Sequence, residues 1–532
     1  MDVTLPFAAG VPLFVAALLL LLREPAWLRR GLTLGVAAGA LVYAGFLIAA
    51  TYDGSVLVHS VGLWPGGVAI PFVADTLSAL MLAVTSLLTL VCSAFGMVAG
   101  DDEKHFFQPL VMVLFAGVAG ALLTGDLFNF FVFVEVMLLP SYVLIGILGG
   151  VGRVRAARVY ITYNLLASVV LLAGIAFLYG VVGRVNFAAL SGAASESTAA
   201  AVAGAVVLVA LGMKSAVVPV HGWLSRVYPE TSPAVSALFS GLHTKVGIYA
   251  IYRIYSLLFD GDDRWLGIGV LIMCATMVVG VLGAVGEGTM RSILAFHMVS
   301  QIGYILLGVA LFGPLGLAAG IFYLLHHMIV KASLFLSTGA VETVYGSQRL
   351  EEVGGVARKE PLVAFAFIGA ALSLTGIPPF SGFFAKFLLL QASIDETEYL
   401  AAVVVVAVSL FTLLSMAKIW TNVFWGPPGR QPPVRAPARV GAVDESGGGD
   451  AGEPTSGGGT EEDKASAHGS RRHSKAGRPL TNIRFALAAP ALVLTLVSLG
   501  LGIGAQGLLD LSQRAAEGLL DTSTYEEAVI EP

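Results

Sequence analysis

Apolar runs of about 20 residues recur along most of the chain, and this recurrence constrains the fold more than any motif does. A run of that length crosses the hydrocarbon core of a bilayer as a helix, which satisfies its own backbone polar groups where water cannot. The runs fall near 5–22, 31–52, 72–99, 109–125, 127–149, 159–182, 198–219, 233–259, 265–286, 293–312, 314–345, 361–391, 399–425 and 482–508. Numbered in order they make about fourteen helices, so the expected fold is an all-α polytopic membrane protein. Three runs (72–99, 314–345 and 361–391) are long for one crossing, which implies tilt, extension past the membrane or a break. Of the 532 residues 57% are hydrophobic and 12% charged. Soluble domains carry about 25% charged residues. The length is therefore spent on membrane crossings rather than on one soluble core. The first run lacks a basic segment before it and reads as a first helix, not a cleaved signal.

Several chemistries find no support in the residues. The two cysteines, Cys92 and Cys274, stand in separate apolar runs with no CxxC, so no disulfide framework and no zinc or iron–sulfur site is indicated. No GxGxxG or P-loop stands between a strand and a helix, so no nucleotide or flavin cofactor is expected. The net charge of −5 says little about partners and offers no nucleic-acid surface.

Loop charges give an orientation. Connections after odd-numbered helices, up to Trp425, hold Arg23, Arg29, Arg30, Lys104, Arg153, Arg155, Arg158, Arg226, Arg291, Arg349, Arg358 and Lys359; those after even-numbered helices hold Arg184 and Arg264. The excess marks the first set as cytoplasmic and puts both termini outside. Residues 426–479 are rich in Pro, Gly, Ser and charge and lack core-forming residues, as a disordered cytoplasmic linker would. The chain divides into N-terminal helices 1–3 (1–108), two helical blocks (109–259 and 265–425), the linker (426–479), and a last helix with its tail (480–532). The acidic tail after Leu508 reads as a short surface helix or an extension.

Ionisable residues inside the apolar runs are the candidate functional groups. A lysine at the bilayer centre costs roughly 2.5–3.5 kcal/mol even on the lenient insertion scale, so such residues normally face a bundle interior or a water-filled path. Lys214 closes the run that begins near residue 198, and Pro219 stops that helix from continuing normally. Lys245 lies midway along the next run. Glu135 lies near the middle of helix 5, with Pro140 as a kink after it, and needs a partner or a proton. Helix 11 carries His326, His327 and Lys331; His327 and Lys331 share a helix face, and histidine exchanges protons readily near neutral pH. The paired histidines lack a carboxylate or cysteine at ligand spacing, so a proton relay is the expected role and a metal site is not. In helix 12, Pro378 and Pro379 break the run and Lys386 follows. His297 in helix 10 and Lys418 in helix 13 are weaker candidates; Lys418 is placed where it can snorkel. Arg253, near the outer end of helix 8, reads as interfacial.

These features recur at a fixed offset. Broken helix 7 with Lys214 matches broken helix 12 with Lys386, helix 8 with Lys245 matches helix 13 with Lys418, and helix 5 with Glu135 matches helix 10 with His297. An odd offset turns the second copy upside down, as in inverted-topology repeats with a discontinuous helix in each half.

The strings TGDLFNFFVFVEVMLLPSYVL, MKSAVVPVHGWL, SPAVSALFSGLHTKVGIYAIYR, ILAFHMVSQIGYILLG, FYLLHHMIVKASLFL and GIPPFSGFFAKFLL resemble the antiporter-like subunits shared by Mrp-type Na+/H+ antiporters and respiratory complex I. The resemblance covers most of 72–425; GFFAKF, HHMIVKASLF and the overall length favour the branch of Mrp D subunits. It implies fourteen helices, with helices 4–8 and 9–13 as inverted repeats. It assigns ion-path roles to Glu135, Lys214, Lys245 and Lys386, and puts His326, His327 and Lys331 on a polar axis at mid-membrane. The implied function is proton translocation through Glu, Lys, His and water, coupled to Na+ or another monovalent cation, beside other membrane subunits in the cell membrane. The alternative is a proton-pumping subunit of a redox complex such as NADH:quinone oxidoreductase or a membrane hydrogenase. The long 426–479 insert departs from the family pattern.

Overall fold

The computed structural model describes residues 2–22, 24–64, 69–427 and 483–530. The expected linker 426–479 lies, from residue 428 onward, outside the described residues. Helices fall on every predicted apolar run. They are α1 (Phe7–Leu21), α2 (Ala26–Ala50), α3 (Thr76–Ala99), α4 (Phe107–Leu123), α5 (Leu127–Gly146), α6 (Val151–Val182), the pair α7a (Thr198–Lys214) and α7b (Gly222–Val227), and α8 (Pro233–Phe259). There follow α9 (Leu266–Gly286), α10 (Met290–Ala310), α11 (Pro314–Tyr345), the pair α12a (Pro361–Thr375) and α12b (Ser381–Asp395), α13 (Tyr399–Ile419), α14 (Phe485–Ile503), α15 (Ala505–Leu520) and α16 (Ser523–Ile530). Among the described residues eleven helices are long and apolar enough to cross a membrane, or twelve if a pair bent by 115° ahead of and including α7a counts as one; α4 and α12a are shorter apolar helices. One antiparallel hairpin, β1 (Leu57–Ser60) with β2 (Pro71–Ala74), stands outside the all-α expectation.

Side-chain caps set many of the helix starts. Asp75 accepts from Ser78 N while Ser78 Oγ accepts from Asp75 N, closing α3 reciprocally. Asp126 caps α5 and Ser232 caps α8, whose first residue is Pro233, a residue that needs no donor there. Both breaks form at left-handed residues: Ala216 (φ 59) after α7a and Gly376 (φ 89) after α12a. In the first break the backbone stays bonded: Val217 N donates to Gly212 O at 3.0 Å and Val218 N to Thr276 Oγ1 at 3.3 Å. That satisfies at membrane depth what the broken helix would otherwise leave open.

Burial sorts the helices into layers. α8 and α11 are enclosed almost end to end, α11 from Gly316 to Val341 without interruption. α6, α9 and α13 turn large apolar side chains outward, among them Phe177, Leu271 and Leu410. At the crossing of α10 and α11, a Cβ on Gly308 would lie 2.6 Å from Gly320 Cα, so glycine on both sides permits the approach.

Two readings of the sequence gain detail. Arg253, near the end of α8, is enclosed by protein: it is 3% exposed and pairs with Asp75 at 2.6 Å, with the Tyr525 ring of α16 5.1 Å from its guanidinium. The tail forms helices that lie on the bundle with one face buried and the other exposed. α15 and α16 bury Leu508, Leu519, Tyr525 and Val529, and Arg514 donates to Tyr52 O at 2.8 Å. The amphipathic pattern of α15 finds its apolar partner in α11, a contact that its local sequence does not announce.

Candidate ion-translocation site

Glu135, Ser168 and Lys214 meet where α5, α6 and α7a converge. Lys214 is the last residue of α7a, where free carbonyls and the helix dipole favour a cation. Its Nζ donates to Ser168 Oγ at 2.8 Å and lies 3.8 Å from Glu135 Oε1. Ser168 Oγ in turn donates to Glu135 Oε1. The lysine is 6% exposed and the glutamate 26%. The hydroxyl therefore joins the two charges in one hydrogen-bonded chain. Sequence reading missed Ser168, although Tyr160, Asn164 and Ser168 recur at four-residue spacing on α6, a polar stripe in an apolar helix.

Beyond Lys214 a cavity of about 10 Å³ opens, lined by Tyr160, Asn164, Trp223 and His243. That is room for about one water. His243, also missed, is buried on α8 two residues before Lys245. Its Nε2 lies 2.5 Å from Ser141 Oγ, which also lies 2.7 Å from Met137 O.

Lys245 is fully buried, with Nζ donating to Thr244 Oγ1 at 3.1 Å. Lys331 donates to Leu294 O at 2.8 Å. Neither ring nitrogen of His327 has a hydrogen-bond partner among the described residues. His326 Nδ1 lies 2.8 Å from Ser381 Oγ at the start of α12b. Lys386, on α12b, reaches back to the carbonyl that ends α12a: Nζ donates to Thr375 O at 3.1 Å and to Ser409 Oγ at 2.7 Å, with the Tyr304 ring 5.1 Å away. Lys214 thus precedes its break, whereas Lys386 follows its own. Pro219 lies within the first gap, Pro378 and Pro379 within the second. Tyr304 stacks on Tyr323, whose ring meets His326 edge-on at 5.7 Å. His297 Nε2 lies 2.6 Å from Ser415 Oγ. Lys418 sits apart from this row and caps the end of α9, donating to Val285 O at 3.0 Å and Glu287 O at 2.7 Å.

A helical membrane bundle with two broken helices and a row of buried amines, imidazoles and one carboxylate has the architecture of ion-translocating folds. The chain belongs to the NADH:quinone oxidoreductase/Mrp antiporter transmembrane family, whose pattern matches residues 124–412. It is 39% identical over 422 residues (78% of this chain, 86% of the relative) to the D subunit of the Na(+)/H(+) antiporter of Alkalihalophilus pseudofirmus. It is 31% identical over 527 residues (98% of each chain) to that of Bacillus subtilis. Among solved structures, a chain of the Mrp complex from Dietzia sp. matches with a TM-score of 0.89 and 52% identity, covering 99% of both chains. Respiratory complex I from Thermus thermophilus shares the fold, with a TM-score of 0.76 at 24% identity over 97% of this chain and all of its counterpart.

Proposed function

We propose that this chain is the D-type subunit of a multisubunit Na+/H+ antiporter of the Mrp type, a transporter subunit rather than an enzyme, assembled with other membrane subunits in the cell membrane. The observation that carries the reading is the 52% identity over 99% of both chains with a chain of the Dietzia Mrp complex. The redox-complex alternative is not favoured, since the likeness to complex I, at 24% identity, extends to the fold alone.

In this reading protons cross by way of Glu135, Lys214, Lys245, His326, His327, Lys331 and Lys386, with Ser168 and His243 as links and His297 beside the row. Glu135 takes up and releases the proton while Lys214 holds the countercharge through Ser168. Buried cations repel one another, so charging one group in the row disfavours charging the next, and a proton entering at one end drives release at the other. The membrane potential contributes about 2.3 kcal/mol per charge per 100 mV, comparable with such couplings. Helices 4–8 and 9–13 act as inverted repeats over 109–259 and 265–425, fourteen crossings in all, with both termini outside and 426–479 a cytoplasmic linker. The offset between the broken helices and the lysine-bearing helices supports this arrangement.

The test is Na+-driven proton movement in everted vesicles carrying the whole complex, with the subunits that co-purify identified on the same membranes. Exchange together with small antiporter subunits is the expected result. Co-purification with redox subunits and no cation-dependent proton movement would sink the assignment.

A further inference from the structure

From its N-cap to the residue before Lys245, α8 carries a hydroxyl at every fourth position: Ser232, Ser236, Ser240 and Thr244, each at most 1% exposed. Four residues of helix rise about 6 Å, which two hydrogen bonds of about 2.8 Å through one water span. The ladder winds slowly, by about 40° per step, around the helix. A second ladder stands on the neighbouring helix. On α3, Thr85, Thr89 and Ser93 follow the same spacing and are buried, and Thr85 Oγ1 and Ser93 Oγ have no partner among the described residues. Gly96 of α3 packs against Ala234 and Leu88 against Gly241, an antiparallel register that brings Ser93, Thr89 and Thr85 to the levels of Ser236, Ser240 and Thr244.

Both ends of this seam are ionisable. At one end Ser232 Oγ donates to Asp101 Oδ2 at 2.6 Å. Asp101 lies between α3 and α4, 6% exposed; burial raises its affinity for a proton, offset by the Ser232 bond and the charges of Arg153 and Arg291, while Asp102 adds to it. Arg291 also donates to Ser236 Oγ at 3.3 Å, whose own hydroxyl donates to Tyr228 O at 2.8 Å, and pairs at 2.8 Å with Glu342, which is 22% exposed. At the other end Thr244 Oγ1 accepts from Lys245 Nζ.

We propose that the α3–α8 seam is a proton route between the aqueous face at Asp101 and Lys245, built from hydroxyls with one water per step. The proposal rests on the reading of Lys245 as part of the ion path. Asp101 takes a proton from water and passes it on. Each hydroxyl hands on one proton as it receives one, so none is left charged, and the proton ends on Lys245 when its amine is free to take it.

Ser240, whose own hydroxyl donates to Ala237 O at 2.8 Å, is the middle step and touches neither end. The experiment compares S240V and S240T, near-isosteric side chains that differ in the hydroxyl, in the whole complex in everted vesicles. Proton movement is normalised to assembled complex, and E135Q runs in parallel. S240V should lose roughly tenfold or more in exchange, with S240T near wild type. Wild-type exchange in S240V, or equal loss in S240T, overturns the ladder. Where E135Q abolishes exchange and S240V does not, the ladder alone falls; where neither matters, the reading of the buried row falls with it. Should S240V fail to accumulate, S240A, which adds no bulk beyond the removed hydroxyl, carries the same test: a loss of roughly threefold or more is expected, and wild-type exchange overturns the route.

Discussion

Replacing Ser168 with alanine separates two roles that the Glu135–Lys214 pair combines, holding charge and moving a proton. The hydroxyl accepts from Lys214 Nζ at 2.8 Å and donates to Glu135 Oε1. Hydrogen bonds to charged groups are each worth about 1.5–3 kcal/mol. Without them the ammonium still lies 3.8 Å from the carboxylate. At an effective dielectric constant of about 20 that pair retains about 4 kcal/mol of attraction. The complex should therefore assemble. A separation of 3.8 Å, however, exceeds the range for direct hand-over of a hydrogen. If one charge-assisted bond is lost from the limiting step, exchange falls roughly ten- to hundredfold, at about 1.4 kcal/mol per decade. Ser168→Thr, which keeps the hydroxyl, should recover most of it. The assay is Na+-driven proton movement in everted vesicles at matched complex abundance. Normal exchange in Ser168→Ala would show that the serine packs against the pair without serving it.

Lys386→Ala should assemble yet exchange poorly, and Lys386→Arg should not restore the rate, because guanidinium stays protonated at any working pH; full activity in either, measured in the same vesicles, removes the lysine from the path. Arg253→Met strands Asp75 beneath α16 and should lower the amount of complex in the membrane, consistent with the roughly 3–5 kcal/mol cost of breaking a buried pair, while adding Asp75→Asn should recover part of it. Undiminished complex in Arg253→Met, quantified by immunoblot, would mean the pair does not hold the C-terminal end of α8 together.

The helices were legible because membrane burial writes an unbroken apolar run, and buried lysines stand out against it at once. The breaks were legible from proline, although the left-handed turns at Ala216 and Gly376 carry the actual change of direction. Pairings between helices distant in the chain were not legible. Arg253 stands near the end of α8 by sequence, but its partner Asp75 lies 178 residues away in the chain. Ser168 and His243 escaped notice because a hydroxyl costs little in an apolar helix and a histidine beside a lysine draws no separate attention. Their importance comes from what α5 and α7a bring to them. Lys418 shows the converse, an intramembrane charge by sequence whose contacts are the closing carbonyls of α9.

Glu135→Gln tests the account most directly. The amide keeps the shape and an oxygen to accept from Ser168, but it cannot take up and release a proton. Proton movement in everted vesicles, with complex abundance checked on the same membranes, should fall to background while assembly stays intact. A Glu135→Gln complex that assembles normally and exchanges Na+ for protons at the wild-type rate would contradict the buried proton path and leave the glutamate a structural partner of Lys214.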